Sequence, residues 1–265
     1  MKQTALHFTY GNQSSMAFGV SKINFDSGVL QEEIILPERT LNTEMRKHTN
    51  IMDFYSINYD KPLEIEMEIL LDDKWKEEGF LHRKYLVNVI RWLKRETYLP
   101  LIFDTMPDTI FYAIMSSDFV IYHNSRNQGY LKVRATCNSP YGFTMVQNSP
   151  IYTNTGLSNI QIIANSDFDT SLIKVLIKKH GDGNLLIKNI SNGTEINMEN
   201  LENGDQIIID NFNHMMSATD IDDKEIIIND KKINHNWLVF WTNVNQLELN
   251  GDAEIQFLWQ GIKII

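Results

Sequence analysis

What most constrains this chain is a succession of short apolar segments in its second half, at residues 160–163, 172–177, 185–187, 206–209, 225–228, 246–249 and 253–257, each too short to be a helix. Between them stand His180-Gly181-Asp182-Gly183-Asn184, Ser191-Asn192-Gly193, Glu202-Asn203-Gly204-Asp205 and Asn250-Gly251-Asp252, residue types that tolerate the positive φ of tight hairpin turns. Strands at this density, with no helix between them, predict a β-sandwich. No fixed period relates the segments, which argues against a propeller or a solenoid.

The first half has a different texture. Residues 5–10 and 16–20 are β-like runs separated by the turn formers Gly11-Asn12-Gln13-Ser14-Ser15, and they predict a hairpin. Leu63-Glu64-Ile65-Glu66-Met67-Glu68-Ile69 alternates apolar and acidic residues strictly, the pattern of a strand with one buried and one wet face. Residues 81–96 predict the one helix: Leu81, Tyr85, Val89 and Leu93 recur every four residues, and Leu86 and Ile90 widen the stripe. Arg83, Lys84, Arg91, Lys94 and Arg95 fill the other side, and Pro100 forbids continuation. A solvated face balanced by Asp72, Asp73, Glu77 and Glu78 accounts for these cations better than nucleic acid does. Residues 110–115, 119–122 and 131–137 add aromatic and β-branched strands.

At 265 residues the chain has room for two cores. Residues 1–148 carry 16 Lys+Arg against 18 Asp+Glu, whereas residues 149–265 carry 8 against 16, so the charge balance changes from half to half. The polar cluster Gln147-Asn148-Ser149-Pro150 is the expected seam, giving domains 1–148 and 149–265. A net charge of −10 argues against a nucleic-acid binder. The start of the chain shows no secretory pattern and no segment is long and apolar enough to span a bilayer, so synthesis in a cytoplasm and no membrane partner are expected.

Catalytic and metal-binding patterns are not found. The single cysteine, Cys137, excludes a disulfide framework within the chain and reads as a small buried hydrophobe on a strand. Gly181-Asp182-Gly183 lacks the third glycine and the following helix of a dinucleotide loop. Asp220-Ile221-Asp222-Asp223-Lys224-Glu225 invites a calcium reading, but the glycine and closing carboxylate of an EF-hand are missing. The 7 histidines are scattered, without the close pair of a zinc hydrolase. No catalytic residue, cofactor-binding residue or metal ligand is therefore expected, and no cofactor. Trp237, Trp241 and Trp259 gather near the end of the chain beside His235, Asn236 and Asn243. Packing between two sheets is the favoured reading, and a sugar-stacking surface at Trp237 and Trp241 the alternative.

Several stretches resemble the distal tail proteins of long-tailed phages that infect Gram-positive hosts. In the first half these are Phe8-Thr9-Tyr10-Gly11-Asn12-Gln13-Ser14-Ser15 leading to Phe18-Gly19-Val20, the strand before the helix, and the strand from Leu131 to Cys137 that closes on Pro140-Tyr141-Gly142. In the second half they are Ile187-Lys188-Asn189 followed by Gly193, then Gly204-Asp205-Gln206-Ile207-Ile208-Ile209-Asp210, then Trp237-Leu238 with Asn245 and Leu247. One departure stands out: the arginine-rich, glycine-containing turn common in that family is reduced to Pro37-Glu38-Arg39-Thr40.

The resemblance implies a mainly β protein, with a split-barrel-like N-terminal β-domain carrying one packed α-helix and a C-terminal galectin-like β-sandwich. It implies a non-enzymatic structural protein of the virion tail tip: a homo-hexameric ring with a central channel for DNA as passing cargo. The implied neighbours are the tail tube protein, the tape measure, a tail tip or tail-associated lysin, and receptor-binding proteins of the baseplate. Glu64, Glu66 and Glu68 are the candidate channel-lining residues, since like charge would keep DNA from adhering. The alternative function is a carbohydrate-binding module in host attachment, although the His-x-Asn-x-Arg pattern of sugar-binding galectins does not occur here.

Overall fold

The computed structural model describes residues 7–23, 39–46, 51–59, 62–71, 83–115, 119–123, 129–211, 214–226, 234 and 237–263. The protein is mainly β and divides into two compact units, residues 1–142 with 264–265 and residues 143–263.

The first unit opens with β1 (Phe8–Tyr10) and β2 (Gln13–Ser14), joined by a two-residue turn in which Gly11 and Asn12 both take positive φ, 58° and 64°. The expected partner of residues 5–10 was 16–20, and here the structure differs. Ser14 caps a 3-10 helix, Ser15–Phe18, by accepting from the Met16 amide, and Gly19 ends it in the left-handed region at φ 60°. These two caps turn the chain away from β1, so that β3 (Val20–Ile23) emerges elsewhere in the sheet. Next come β4 (Arg39–Met45) and β5 (Met52–Tyr59), a separate two-stranded sheet, then β6 (Glu64–Leu71).

Among the described residues one α-helix occurs, α1 (Arg83–Leu93). It ends earlier than the expected residue 96. The Lys94 amide closes the last turn on the Ile90 carbonyl at 2.7 Å, and the Arg95 side chain donates to the Trp92 carbonyl, so a side chain occupies an acceptor that a further turn would have used. Residues 81 and 82 lie outside the described residues. The buried stripe is Val89, Trp92 and Leu93 with Leu86 and Ile90 half-buried, while Tyr85 is exposed. Trp92, three residues after Val89, thus belongs to the stripe, and Tyr85 does not.

β7 (Leu99–Phe103), β8 (Met106–Met115), β9 (Val120–His123) and β10 (Gly129–Cys137) complete the split-barrel-like sheet, in the order β2-β1-β7-β8-β10-β6-β3 with β9 also on β10. Its core comprises Phe8, Tyr10, Met67, Ile69, Phe111, Leu131 and their neighbours, packed with the inner face of α1. Cys137 lies there at 1% exposure, and burial pushes its thiol up to about 12, so it is protonated and shielded at neutral pH.

β11 (Gly142–Phe143) is where the chain passes from one unit to the next. Residues 143–148, placed with the first domain on sequence grounds, run with the second unit: β12 (Gln147–Asn148) pairs with Leu258 and Trp259, the Ser149 amide donates to the Phe257 carbonyl, and the Phe257 amide donates to the Ser149 hydroxyl. Polar side chains do not prevent an edge segment from joining a ladder, because the ladder is made by the backbone.

The second unit continues with β13 (Tyr152–Asn154), β14 (Leu157–Ala164), β15 (Thr170–Lys179), β16 (Gly183–Asn189), β17 (Glu195–Leu201), β18 (Gln206–Asp210), β19 (Met215–Thr219), β20 (Glu225–Ile226), β21 (Val239–Phe240), β22 (Asn243–Asn250), β23 (Ala253–Trp259) and β24 (Ile262–Lys263). All of them but β24 form the expected sandwich of two sheets, one ordered β12-β23-β15-β18-β19-β20 with β13 on β23 and β21 on β15, the other β14-β22-β16-β17. Alternate residues of each strand fill the space between them, among them Val175, Ile177, Leu185, Ile187, Leu247, Leu249, Ile255 and Phe257. A buried amide pair joins strands inside: Asn189 donates to the Asn245 side chain and to the Val239 carbonyl, both at 2.9 Å. Lys179, only 2% exposed, ends β15 with its ammonium on the carbonyls of His180, Gly181 and Asp252.

Candidate functional site

Two surfaces were singled out by sequence, and the structure places both. β6 sends Ile65, Met67 and Ile69 into the core, which leaves Glu64, Glu66 and Glu68 on the opposite face. In register across the ladder lie Thr136 beside Glu64, Arg134 beside Glu66 and Lys132 beside Glu68. The acidic row is thus interleaved with cations. Glu66 accepts from Arg134 at 2.8 Å and from Lys132 at 2.9 Å, and Glu64 stands 3.5 Å from Arg134. The Lys132 ammonium, then the Arg134 guanidinium, hold the Glu66 carboxyl below its ordinary value. With side chains about half exposed, these pairs order the face more than they stabilise it.

The three tryptophans separate. Trp259 is 6% exposed and meets Phe240 edge-on at 5.7 Å, which is core packing. Trp237 is partly buried against the same core and is covered by His214, stacked at 4.7 Å. Trp241 is 46% exposed, while its backbone is clamped by Asn245, whose side chain accepts from the Trp241 amide and donates to the Trp241 carbonyl, both at 2.8 Å. Asn243 sits beside it at φ 78°, and His235 and Asn236 lie outside the described residues. The structure therefore presents one indole to solvent and does not assemble a two-tryptophan platform.

The acidic run 220–225 is a turn that consumes its own carboxylate: Asp220 Oδ1 accepts from the amides of Asp222 and Lys224, both at 2.9 Å. Among the described residues no group of three or more His, Cys, Asp or Glu side chains is placed to hold a metal ion. No helix among them is long and apolar enough to cross a membrane.

Two features escaped the sequence. One is a groove of about 420 Å³ beside α1, lined by Ala17, Phe18, Tyr85, Val89 and Trp92 and by the polar Gln13, Asn88, Arg91 and Arg95. Beneath it the Phe18 ring stacks on buried Trp92, 4.2 Å apart and within 5° of parallel. The other is the β4–β5 sheet, whose described side chains are all exposed or half-buried. The alternation of Leu41, Thr43 and Met45 with polar neighbours was the available signal for a strand there.

Comparison with known proteins agrees with this architecture. A family model described as the phage tail protein N-terminal domain matches residues 3–139, and one described as the phage tail C-terminal domain matches residues 141–259. The SPbeta prophage-derived protein YomH of Bacillus subtilis (strain 168) is 24% identical over 265 residues, covering 98% of each chain. Among solved structures, the SPP1 Dit (gp 19.1) protein, presented as a paradigm of the hub adsorption apparatus in phages that infect Gram-positive hosts, superposes with a TM-score of 0.68 at 10% identity, covering 97% of this chain and 99% of that one. A chain of the phage P2 baseplate in its activated, calcium-containing conformation superposes with a TM-score of 0.53 at 10% identity, covering 97% and 98%. The sandwich, the helix-bearing β-unit and both family models converge: the chain belongs to a family of phage tail proteins.

Proposed function

We propose that this tail protein is the structural ring of the tail tip, a homo-hexamer in the virion that joins the tail tube to the baseplate and leaves a central channel for DNA. The observation that carries the reading is the likeness over nearly the whole chain, both units included, to a protein of a phage hub. The first unit supplies ring-building surface, since among the described strands β2, β3 and β9 each pair on one side only. The second unit holds baseplate or receptor-binding parts. The protein works by shape and association, not by catalysis.

The face of Glu64, Glu66 and Glu68 is the proposed channel wall. Lys132 and Arg134 leave it one carboxylate in excess, three against two, so it neither binds DNA strongly nor repels it over distance. Native mass spectrometry of the full chain is expected to show a sixfold species, and antibody labelling of phage particles is expected to mark the tail end away from the head. A strict monomer at every concentration and salt, or label absent from the tail, would refute the ring. A ring map with the three glutamates on its outer rim would refute the channel wall.

The exposed indole of Trp241 favours a second reading, in which the sandwich grips a host glycan. Saturable binding on a glycan array, lost in Trp241→Ala with the fold intact, is its expected signature. Absence of binding by the native chain would dispose of it.

A further inference from the structure

A strand at the edge of a sheet shows a row of backbone N–H and C=O groups without partners, and proteins close such edges with charges, proline, bulges or a covering segment. Three edges of the sandwich are closed in this way. β17 carries Glu195 and Glu199, and Asn234 lies along its free side, where the Asn234 side chain accepts from the Asn197 amide at 2.8 Å and the Asn234 amide donates to the Asn197 carbonyl at 3.2 Å. β20 has two residues and follows Asp222, Asp223 and Lys224. β12 and β13, which share β23, have two and three residues and are parted by Pro150.

The fourth edge is β14, and it has none of these devices. Leu157-Ser158-Asn159-Ile160-Gln161-Ile162-Ile163-Ala164 contains no charged residue, proline or glycine, and every one of its residues pairs with β22 without a register shift. Among the described residues no strand lies beyond it, so roughly half of its backbone groups face outward with no ladder to join. Its side chains are sorted by the pleat. Ser158, Ile160, Ile162 and Ala164 turn inward, whereas Leu157, Asn159, Gln161 and Ile163 turn outward, with Leu157 63% and Ile163 65% exposed.

Such an edge accepts an extended peptide as one more strand, the backbone supplying affinity and alternate side chains the selection. A strand laid along β14 meets half-buried Ile160 on its inner side, and on its outer side Asn159 and Gln161 between two apolar ends. It meets no countercharge, so a charge set directly opposite would lose water with nothing gained. The occupant is a different protein. In a ring, neighbours related by rotation meet through two unlike patches, whereas β14 against β14 needs a two-fold axis. The closed edges leave a neighbouring sandwich no other strand to offer.

We infer that the open edge of β14 joins a partner of the tail by taking up, as a further strand, an extended uncharged segment of about eight residues with apolar side chains at alternate positions. The inference rests on the reading that the second unit holds baseplate or receptor-binding parts, and it names the surface and the partner's chemistry.

Overlapping synthetic peptides that span the other proteins of the same tail are the probe. The full chain is expected to bind those with the uncharged alternating pattern, and a bound peptide is expected to slow amide hydrogen exchange within 157–164 roughly ten-fold or more. Asn159→Lys combined with Ile163→Lys, at two exposed positions of the edge strand, is expected to weaken that binding roughly ten-fold or more. Val244→Lys, on the same face but one strand inward, opposite Ile163, is expected to bind as the native chain does. Equal weakening by Val244→Lys would mean that a face is docked, not an edge, and would overturn the inference. So would binding without protection at 157–164, or no peptide bound while exchange there is the same in intact tails as in the isolated chain. Protection that rises with the concentration of the chain alone would make the occupant a second copy and overturn it too. All of these results leave the ring reading standing, since that reading fails on other observations: a chain that stays monomeric, or one absent from the tail.

Discussion

Trp92→Ala is expected to destabilise the first unit by about 3–5 kcal/mol, the range for emptying a buried indole site. Trp92 is 3% exposed, lies between Phe18 at 4.2 Å and Phe8 at 5.6 Å, and donates from its indole nitrogen to the Tyr10 carbonyl at 3.1 Å. Its removal therefore leaves a cavity, two unstacked rings and a carbonyl without its indole donor at the place where α1 meets β1. Tyr10 itself is fully buried, and its hydroxyl donates to the Ala113 carbonyl, so the damage lies next to a second polar group that depends on packing. Thermal unfolding followed by near-ultraviolet circular dichroism should fall by roughly 10 °C. Trp92→Phe keeps most of the stacking and should lose about a third to a half as much. A change below about 1 kcal/mol for the alanine variant would mean that the ring stack is not central to this core.

Gly251→Ala is expected to cost the sandwich about 3 kcal/mol, from backbone strain and overpacking together. Gly251 stands at φ 122°, and a Cβ added there would lie 2.4 Å from the Asn184 carbonyl oxygen and 3.2 Å from the Leu185 Cα, neither of which is a flexible side-chain end. Its neighbourhood leaves no room to relax. The Gly251 amide donates to the Gly156 carbonyl, its own carbonyl accepts from the Asn154 side chain, and the adjacent Asp252 carbonyl accepts from Lys179. Gly181→Ala is the control: φ is 66° with nothing within 4 Å of the added carbon, so only about 1 kcal/mol of left-handed strain is expected. Equal unfolding free energies for the two variants in urea would show that the clash at Gly251 is absorbed.

Much of the fold was legible because its signals are local. The alternation at 63–69 places Ile65, Met67 and Ile69 inward, as β6 does. Turn chemistry at Gly181, Gly193, Gly204 and Gly251 predicts positive φ, and all four adopt it. β17 and β19 were harder to see. Glu195–Leu201 is rich in Glu and Asn, and its inward residues Ile196 and Met198 are parted from the third, Leu201, by a break at Asn200, where φ is 59°. Such a strand is held by pairing with β16, and propensity alone does not mark it. The hairpin expected between residues 5–10 and 16–20 failed for the opposite reason: the apolar pattern was real, but the Ser14 cap and Gly19 redirected the chain.

The candidate sites divide in the same way. Alternation alone identified Glu64, Glu66 and Glu68 as one face, but only the register with Lys132 and Arg134, 64 or more residues away in sequence, changed that face from acidic to mixed. Trp237, Trp241 and Trp259 are neighbours in sequence, yet one is exposed, one is covered by a histidine and one is core. The sequence by itself determined the strongly alternating strands, most of their turns and the tail-protein resemblance, since period and turn chemistry act over a few residues. The tertiary structure decided which strands pair, where the units divide, how the glutamates are neutralised and which edge of the sandwich stays open. Those outcomes depend on long-range register and on the competition of all side chains for one interior, which no local window of sequence contains.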